Sequence, residues 1–222
     1  MRWVAYMPLR GGSKSIPGKN IRLMAGRPLF AWALGAALDS ASFDEVWVGT
    51  DSDAIATSVQ QIFEDRVRVF RRAPHTCTDE ASTESAQLEF AQAVPFTVLC
   101  TIQATSPMTA PLDFRQARQS FDAAGADSLL TATRVKRFFW NDDARPLNYD
   151  PAKRPRRQEF RGTLMENGAF YFTRRQLLET TQCRLGGRIV IHEMAGDSAA
   201  EIDEPDDWNE VERLLRERVR RP

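Results

Sequence analysis

The chain has 222 residues, which suits one sizeable α/β domain, or one domain with a smaller appendage. Thirty basic residues balance thirty acidic ones, so no net positive charge would attract nucleic acid. The three cysteines have no CxxC spacing, which argues against a disulfide framework and a zinc site. No apolar run approaches the length of about 18 residues that a membrane span needs, so we expect a cytoplasmic protein, or a nuclear one if its source is eukaryotic, that binds no membrane.

Short apolar, β-branched or aromatic runs alternate with helical patterns through the first part of the chain. The predicted strands there are Trp3–Met7, Glu45–Gly49, Val67–Phe70, Phe96–Gln103 and Ser128–Val135. The predicted helices are Pro28–Ser40, Asp53–Phe63, Thr83–Ala93 and Leu112–Ala124. Several strands are apolar at consecutive positions, which is typical of a sheet covered on both faces. The alternation predicts right-handed βαβ units and a doubly wound α/β fold.

This alternation stops after Val135. The stretch KRFFWNDDARPLNYDPAKRPRRQEFRG has three prolines, many charges and no clear period, and an irregular stretch of this length is usually functional or an interaction arm. Strand-like segments return at Gly168–Thr173 and Arg188–Glu193, and a charged helix over Asp206–Arg220 closes the pattern.

The loop LRGGSKSIPGKN, residues 9–20, directly follows the first predicted strand. In an open α/β sheet this position lies at the edge where ligands bind, and glycines beside cations can hold an anion. A P-loop is excluded, because five residues rather than four separate Gly12 from Gly18, and Asn20 stands where the hydroxyl residue should be. A solvated surface turn stays open as the alternative.

The same loop resembles the N-terminal signature of the CMP-sialic acid synthetases (N-acylneuraminate cytidylyltransferases). Further stretches resemble that family in the same order: VWVGTDSDAI, RRAPHTCTDEAST, IQATSP, PLNYDPAKRPRRQEFRGTLMENGAFYF and AAEIDEPDDW. The stretch beginning at PAKRPRRQ is closest to the animal-type branch.

The family resemblance implies a fold, a domain organisation and a reaction. The fold would be a Rossmann-like three-layer αβα nucleotidyltransferase domain over residues 1–222, with a mostly parallel sheet. Residues 136–166 would form an inserted arm for dimerisation and substrate binding, so a homodimer is expected. The reaction would transfer CMP from CTP to the anomeric hydroxyl of a nine-carbon acid sugar, N-acetylneuraminic acid (Neu5Ac) or its deaminated relative KDN, with release of pyrophosphate.

The resemblance also assigns roles to residues of the first loop. Arg10 and Lys19 would contact the triphosphate and stabilise charge as pyrophosphate leaves, so they are the candidate catalytic cations. Ser13 and Lys14 would hold phosphate oxygens, and Asn20 would reach the ribose.

Other segments would complete the substrate sites. Arg72 would turn its guanidinium toward the base, and Gln103 would bind the sugar or nearby nucleotide groups. Ser82 would bind nucleotide or cap the following helix, and both roles remain open because Ser precedes an apolar-periodic run. In the arm, the family pattern assigns sugar binding to Arg156, Arg157 and Gln158.

The carboxylates of AAEIDEPDDW are the candidate Mg²⁺ ligands. Glu201 and Asp203 would face the same side of a strand, which suits a shared metal ion. Asp203 would also be catalytic by resemblance, whereas Glu201 replaces the family's usual aspartate. Asp206 and Asp207 would instead favour the N-terminus of the last helix.

Three other interpretations remain. The sugar could be legionaminate, pseudaminate or Kdo. The chain could be a binding homologue without turnover, and the replacement at Glu201 favours this interpretation. The basic run AKRPRRQ could bind nucleic acid. Zero net charge disfavours the last, so no nucleic-acid partner is expected.

Overall fold

A computed structural model describes residues 1–220, so the last two residues of the expected domain lie outside the described part. The strands, in chain order, are β1 (Trp3–Leu9), β2 (Leu23–Met24), β3 (Arg27–Pro28), β4 (Glu45–Thr50), β5 (Arg68–Arg71), β6 (Val98–Ile102), β7 (Ser128–Val135), β8 (Thr163–Arg174) and β9 (Ile189–Met194). The α-helices are α1 (Leu29–Asp39), α2 (Asp53–Phe63), α3 (Thr83–Ala93), α4 (Pro111–Ala124), α5 (Arg175–Thr181) and α6 (Pro205–Arg220).

Seven strands form one sheet in the order β5-β4-β1-β6-β8-β7-β9, and β2 pairs with β3 in a separate hairpin. Within the large sheet, β8 runs antiparallel to both of its neighbours, while the other paired strands are parallel. The expected α/β fold with a mostly parallel sheet is therefore confirmed.

The helices cover the sheet on two sides, as a three-layer αβα arrangement requires. On one face, side chains of α1, α2 and α4 pack with Trp3, Ala5 and Met7 of β1. On the opposite face, α3 and α5 pack against Val4 and Tyr6 of the same strand. Alternate residues of β1 are therefore buried in different layers, which explains its unbroken apolar sequence.

Most predicted elements are confirmed with small shifts of their limits; the hairpin of β2 and β3 was not predicted, and the larger differences lie in the second half of the chain. Helices α2 and α3 and strand β7 have the predicted limits. Strand β8 begins at Thr163 rather than Gly168, so residues 163–166 of the expected arm pair with β7 in the sheet. The short helix α5 was not predicted. No helix within residues 1–220 has the length and apolarity to span a membrane.

The irregular stretch between β7 and β8, residues 136–162, is called here the connecting segment. It contains one short 3₁₀ helix, Pro151–Lys153, and its own aromatic cluster. The ring of Phe138 lies 4.2 Å from that of Tyr149 and 4.9 Å from that of Phe160, and the Arg154 guanidinium lies 4.6 Å from the Phe138 ring centre. This cluster gives the segment local order without burying it against the sheet.

Candidate active site

The first loop follows β1 at the sheet edge where the neighbouring parallel strands β4 and β6 also end. Ile16 anchors the loop, because it is buried with Met24 and Trp208 in a cluster against α6. Gly18 has a φ of 64°, a left-handed conformation that favours glycine, and it precedes the 3₁₀ helix Lys19–Ile21. The loop is therefore anchored at Ile16, while most of its other residues are exposed.

One cavity of about 430 Å³ opens above this loop. Its walls come from the first loop, the loop after β5, the start of α3 and the end of β6. Eight of the predicted site residues line it: Arg10, Ser13, Lys14, Lys19, Asn20, Arg72, Ser82 and Gln103. We call it the nucleotide cavity.

Lys19 lies between the nucleotide cavity and the segment that carries the two candidate metal ligands. Its Nζ donates a hydrogen bond to the carbonyl of Ile202 at 3.0 Å. Burial lowers the pKa of Lys19, the nearby negative charge of Asp203 raises it, and the positive charge of Arg10 lowers it further. The structure thus holds a partly desolvated cation in the wall of the nucleotide cavity.

Arg10 and Lys14 share one carboxylate, that of Asp79. Arg10 Nη1 pairs with Asp79 Oδ1, and Lys14 Nζ lies 2.7 Å from Asp79 Oδ2. These two hydrogen bonds, Lys14 first, hold the pKa of Asp79 below its ordinary value. Asn20, expected at the ribose, donates its side-chain nitrogen to the Arg10 carbonyl at 3.1 Å and so positions the loop.

Two acidic residues that shape this cavity were not assigned roles from the sequence. They are Asp79 and Asp51. Asp51 Oδ1 accepts a hydrogen bond from the Gly11 amide at 2.8 Å. Both lie within stretches that carried the family resemblance. No local pattern distinguishes them from solvated acids, because each meets the first loop only in the folded chain.

Arg72 is held by the loop that it precedes. Its Nη2 donates to the Thr76 carbonyl, and its Nε is buried without a hydrogen-bond partner among residues 1–220. An unpaired buried donor is costly, and Arg72 also lines the nucleotide cavity.

Ser82 caps α3, which confirms one of the two roles that its sequence context left open. Its Oγ accepts a hydrogen bond from the Ser85 amide at 3.1 Å. Its position in the cavity wall leaves the nucleotide-binding role as a prediction. Gln103 directly follows β6, and its backbone amide donates to the Ala169 carbonyl at 3.0 Å, so its side chain starts from a rigid position.

A second cavity, of about 680 Å³, lies beside the first across the segment 200–203. Six carboxylate residues line it: Glu166, Asp197, Glu201, Asp203, Asp207 and Glu210. We call it the acidic cavity.

The prediction that Glu201 and Asp203 lie on a strand is wrong, because no strand forms between residues 200 and 204. Ile202 between them is fully buried, and its amide donates to the Thr105 carbonyl at 3.1 Å. With Ile202 turned into the core, both acids nevertheless reach the acidic cavity.

Burial, followed by the charges of Asp203 and Glu166, raises the pKa of Glu201 to about 7. Carboxylates that repel each other in this way suit a divalent cation, which would relieve the repulsion. Within residues 1–220, however, no group of three or more His, Cys, Asp or Glu residues is arranged to hold a metal ion. A bound cation would therefore take its other ligands from substrate phosphates and water.

Asp207 lies in the first turn of α6, as expected, and its carboxylate binds the backbone just before that helix. One of its oxygens accepts from the amides of Glu204 at 2.8 Å and Asp203 at 2.9 Å. These hydrogen bonds lower the pKa of Asp207 and fix the backbone on which the Asp203 side chain stands.

The three predicted arm residues lie apart from both cavities within a single chain. Arg156, Arg157 and Gln158 are exposed on the connecting segment, and none of them lines the nucleotide cavity or the acidic cavity. Their role in sugar binding stays a prediction.

Comparison with known proteins agrees with this geometry. A family model described as Cytidylyltransferase matches residues 4–216. The chain is 39% identical over 221 residues to an N-acylneuraminate cytidylyltransferase of Oncorhynchus mykiss, covering 96% of this chain and 50% of that protein. It is 41% identical over 221 residues to N-acylneuraminate cytidylyltransferase B of Danio rerio, covering 96% of this chain and 51% of that protein.

The chain thus spans about half the length of the curated relatives that it matches. Among solved structures, it resembles a CMP:2-keto-3-deoxy-manno-octonic acid synthetase complexed with CTP, with a TM-score of 0.74 and 20% identity over 98% of this chain and 100% of the other. That similarity supports the fold. The family match and the animal relatives confirm the resemblance found in the sequence, and the chain belongs to the cytidylyltransferase family.

Proposed function

We propose that this protein is a Mg²⁺-dependent enzyme that transfers CMP from CTP to the anomeric hydroxyl of a nine-carbon acid sugar, Neu5Ac or KDN, and releases pyrophosphate. The observation that carries the proposal is the nucleotide cavity, where Arg10, Lys14 and Lys19 of the first loop meet Arg72 of the loop after β5. The names of its animal relatives, N-acylneuraminate cytidylyltransferases, support this choice of substrate class.

The chemistry needs positioning and charge neutralisation rather than a covalent intermediate. The sugar hydroxyl attacks the α-phosphorus, and the bond from that phosphorus to the bridging oxygen of pyrophosphate breaks. Arg10 and Lys14 bind oxygens of the departing pyrophosphate. Lys19, fixed by the Ile202 carbonyl, stabilises the charge that develops as the bond breaks.

The cytosine base would bind at the wall of the nucleotide cavity that contains Arg72 and Gln103. The unpaired Nε of Arg72 is a donor for an acceptor on the base edge, and Gln103 offers both a donor and an acceptor. Ser13 would hold phosphate oxygens from the first loop. Asn20 would contact the ribose from the same side, and Ser82 would approach from the start of α3.

The metal ion would bind at Glu201 and Asp203. Enzymes of this family generally use a divalent metal ion, and Mg²⁺ suits two carboxylates completed by phosphates and water. When bound, the ion would neutralise phosphate charge. The backbone of Asp203 is held through its amide by Asp207.

The acidic cavity adjoins the nucleotide cavity and is the proposed place for the sugar. Its carboxylates suit hydroxyl donors, but they repel the carboxylate of an acid sugar. A cation from elsewhere must offset that repulsion, and we assign it to Arg156 and Arg157 of a second copy, with Gln158 contacting hydroxyls.

The connecting segment that bears these residues also exposes apolar side chains that a second copy would cover. Trp140 is 50% exposed and Leu147 is 64% exposed. A homodimer with shared sites follows from this proposal. We further propose that the protein acts in the cytoplasm, or in the nucleus of a eukaryote.

The decisive experiment measures pyrophosphate release from CTP with Neu5Ac, KDN, legionaminate, pseudaminate and Kdo, with and without Mg²⁺. We expect the highest kcat/KM with Neu5Ac or KDN and no turnover without a divalent ion. A preference for another sugar would correct the substrate. Tight CTP binding without turnover for any sugar would instead favour the binding homologue.

Two variants test the metal and the arm separately. Asp203→Asn should raise the Mg²⁺ concentration needed for half-maximal rate while CTP binding without metal stays unchanged. Arg157→Ala should raise the KM for the sugar and leave that for CTP unchanged. If Arg157→Ala acts on CTP instead, the arm does not bind sugar.

A further inference from the structure

The loop between β5 and α3, residues 72–82, carries an acidic tip into the nucleotide cavity. The stem of this loop is held by one side chain of α3: Glu89 Oε1 accepts from the Ala73 amide at 2.6 Å, and its Oε2 accepts from the Thr76 hydroxyl at 2.5 Å. Beyond this stem, Thr78 and Asp79 form part of the cavity wall. The hydrogen bonds to Glu89 therefore anchor the loop that carries Asp79.

At the tip, Asp79 forms ion pairs with two cations of the first loop at once. Its Oδ1 binds Arg10 and its Oδ2 binds Lys14, at 2.7 Å in the latter case. A carboxylate with one oxygen on each cation occupies the place that a bridging phosphate would take. Asp79 lies 69 positions from Arg10 in the sequence, so the contact is made by the fold and not by local chain geometry.

We propose that Asp79 is an internal competitor for the phosphate site: it pairs with Arg10 and Lys14 in the empty enzyme, and the pyrophosphate part of the nucleotide must displace it. This inference rests on the proposed function of these two cations as phosphate ligands. It assigns to Asp79 a role that neither the family match nor the resemblance specifies.

The exchange has two consequences for the catalytic cycle. Before binding, the carboxylate keeps Arg10 and Lys14 near each other and prevents them from repelling one another. After reaction, the same carboxylate can return to the cations as pyrophosphate leaves. Nucleotides that have lost the pyrophosphate leave the ion pairs of Asp79 intact, so the competition lowers the affinity for the triphosphate and for pyrophosphate in particular, which helps pyrophosphate to leave after the reaction.

The size of the effect is modest because the groups are partly exposed to water. Asp79 and Arg10 are each about one-third exposed, and Lys14 is 76% exposed. An exposed ion pair changes an equilibrium constant by at most about fivefold. Removing both pairs should therefore tighten binding by about two- to tenfold.

The test is the affinity for inorganic pyrophosphate, measured by isothermal titration calorimetry at fixed salt. The variants are Asp79→Asn and, as a matched control, Glu80→Gln. Glu80 is the exposed neighbouring acid, and within the described residues it forms no ion pair with Arg10 or Lys14. We expect tighter binding by about two- to tenfold for Asp79→Asn and a smaller change for Glu80→Gln.

Each other outcome is informative. Equal effects of the two variants would mean that only overall charge matters, and weaker binding by Asp79→Asn would mean that Asp79 assists the ligand; both overturn the competition. Wild-type protein that binds no pyrophosphate would instead overturn the proposed function of the cavity.

A second measurement follows the carboxylate itself. The two cations hold the pKa of Asp79 below its ordinary value in the empty protein. If pyrophosphate takes the cations, a carboxyl NMR titration should show that pKa rising toward its ordinary value. An Asp79 pKa that stays low in the pyrophosphate complex would show that the ion pairs persist, and it would refute the displacement.

Discussion

Replacement of Lys19 by Met should separate activity from stability. The change keeps a flexible apolar side chain of similar length, but it removes the charge and the hydrogen bond to the Ile202 carbonyl. Burial already lowers the pKa of this lysine, so the folded protein holds the cation at some cost. Because the desolvated charge of Lys19 costs stability and lies in the nucleotide cavity, we expect Lys19 to serve activity rather than folding.

The expected loss of activity can be calculated from the charge. Two unit charges about 4 Å apart interact by about 4 kcal/mol near a protein surface, and one positioned donor for a developing anion contributes about 3–4 kcal/mol. Lys19→Met should therefore lower kcat by about 10²- to 10³-fold. The free energy of unfolding should change by less than about 1 kcal/mol, because removal of the desolvated charge offsets loss of the hydrogen bond to the Ile202 carbonyl.

The assay combines pyrophosphate release at saturating CTP with urea unfolding. Lys14→Met is the matched control, since it removes the same charge from the same loop at a position that is 76% exposed. We expect its kcat to fall far less, by about tenfold or below, because water screens its charge. Similar losses for both variants, or a kcat for Lys19→Met within threefold of wild type, would refute the role given to burial.

Three other substitutions test the surroundings of the site. Tyr6→Phe should raise the free energy of unfolding by about 1 kcal/mol, because the Tyr6 hydroxyl is buried without a partner within residues 1–220; a urea titration that shows a loss would contradict this. Ser82→Ala should lower thermal stability by about 1 kcal/mol as the α3 cap is lost, and an added rise in the KM for CTP would reveal a ligand contact. Glu212→Gln should cost about 0.5–1 kcal/mol at neutral pH, because Glu212 accepts from the Ala25 amide at 2.9 Å. That hydrogen bond lowers the pKa of Glu212, so its stabilisation is present above the ordinary pKa and is lost as the pH falls below it. In acid unfolding, the difference in free energy of unfolding between the two proteins should shrink as the pH falls below the ordinary pKa of a glutamate side chain, and a difference that stays constant with pH would exclude this origin.

The layered sheet was predictable because its signals are local. Consecutive apolar residues in β1 and β6 indicate burial on both faces, and the helices after β4 and β5 begin at recognisable capping residues, Ser52 and Ser82. The late part of the chain was harder to predict. Strand β8 begins in a polar stretch, TLMENG, whose pairing with β7 is interrupted by a bulge between Leu130 and Ala132, so no alternating pattern marked its start.

The sequence predicted which residues line the nucleotide cavity, but not which contacts they make with one another. Eight predicted residues line one cavity because parallel strands deliver their following loops to the same edge. The strand expected at Glu201 and Asp203 does not form, since the buried Ile202 is held by the Thr105 carbonyl and not by a neighbouring strand. A spacing of two places side chains on one face of a strand. Here the buried Ile202 between the two acids directs both of them to the acidic cavity without a strand.

By itself, the sequence determined the α/β class, the position of the first loop at the binding edge and, through its resemblance, the family. Each of these depends on residues that are close together in the chain. Only the tertiary structure decided that Asp79 binds Arg10 and Lys14, and that Lys19 reaches the carbonyl of Ile202, 183 positions away. Such pairs depend on how crossovers and packed helices bring separate loops together, and a charged residue in a loop carries no local sign of the partner that it will meet.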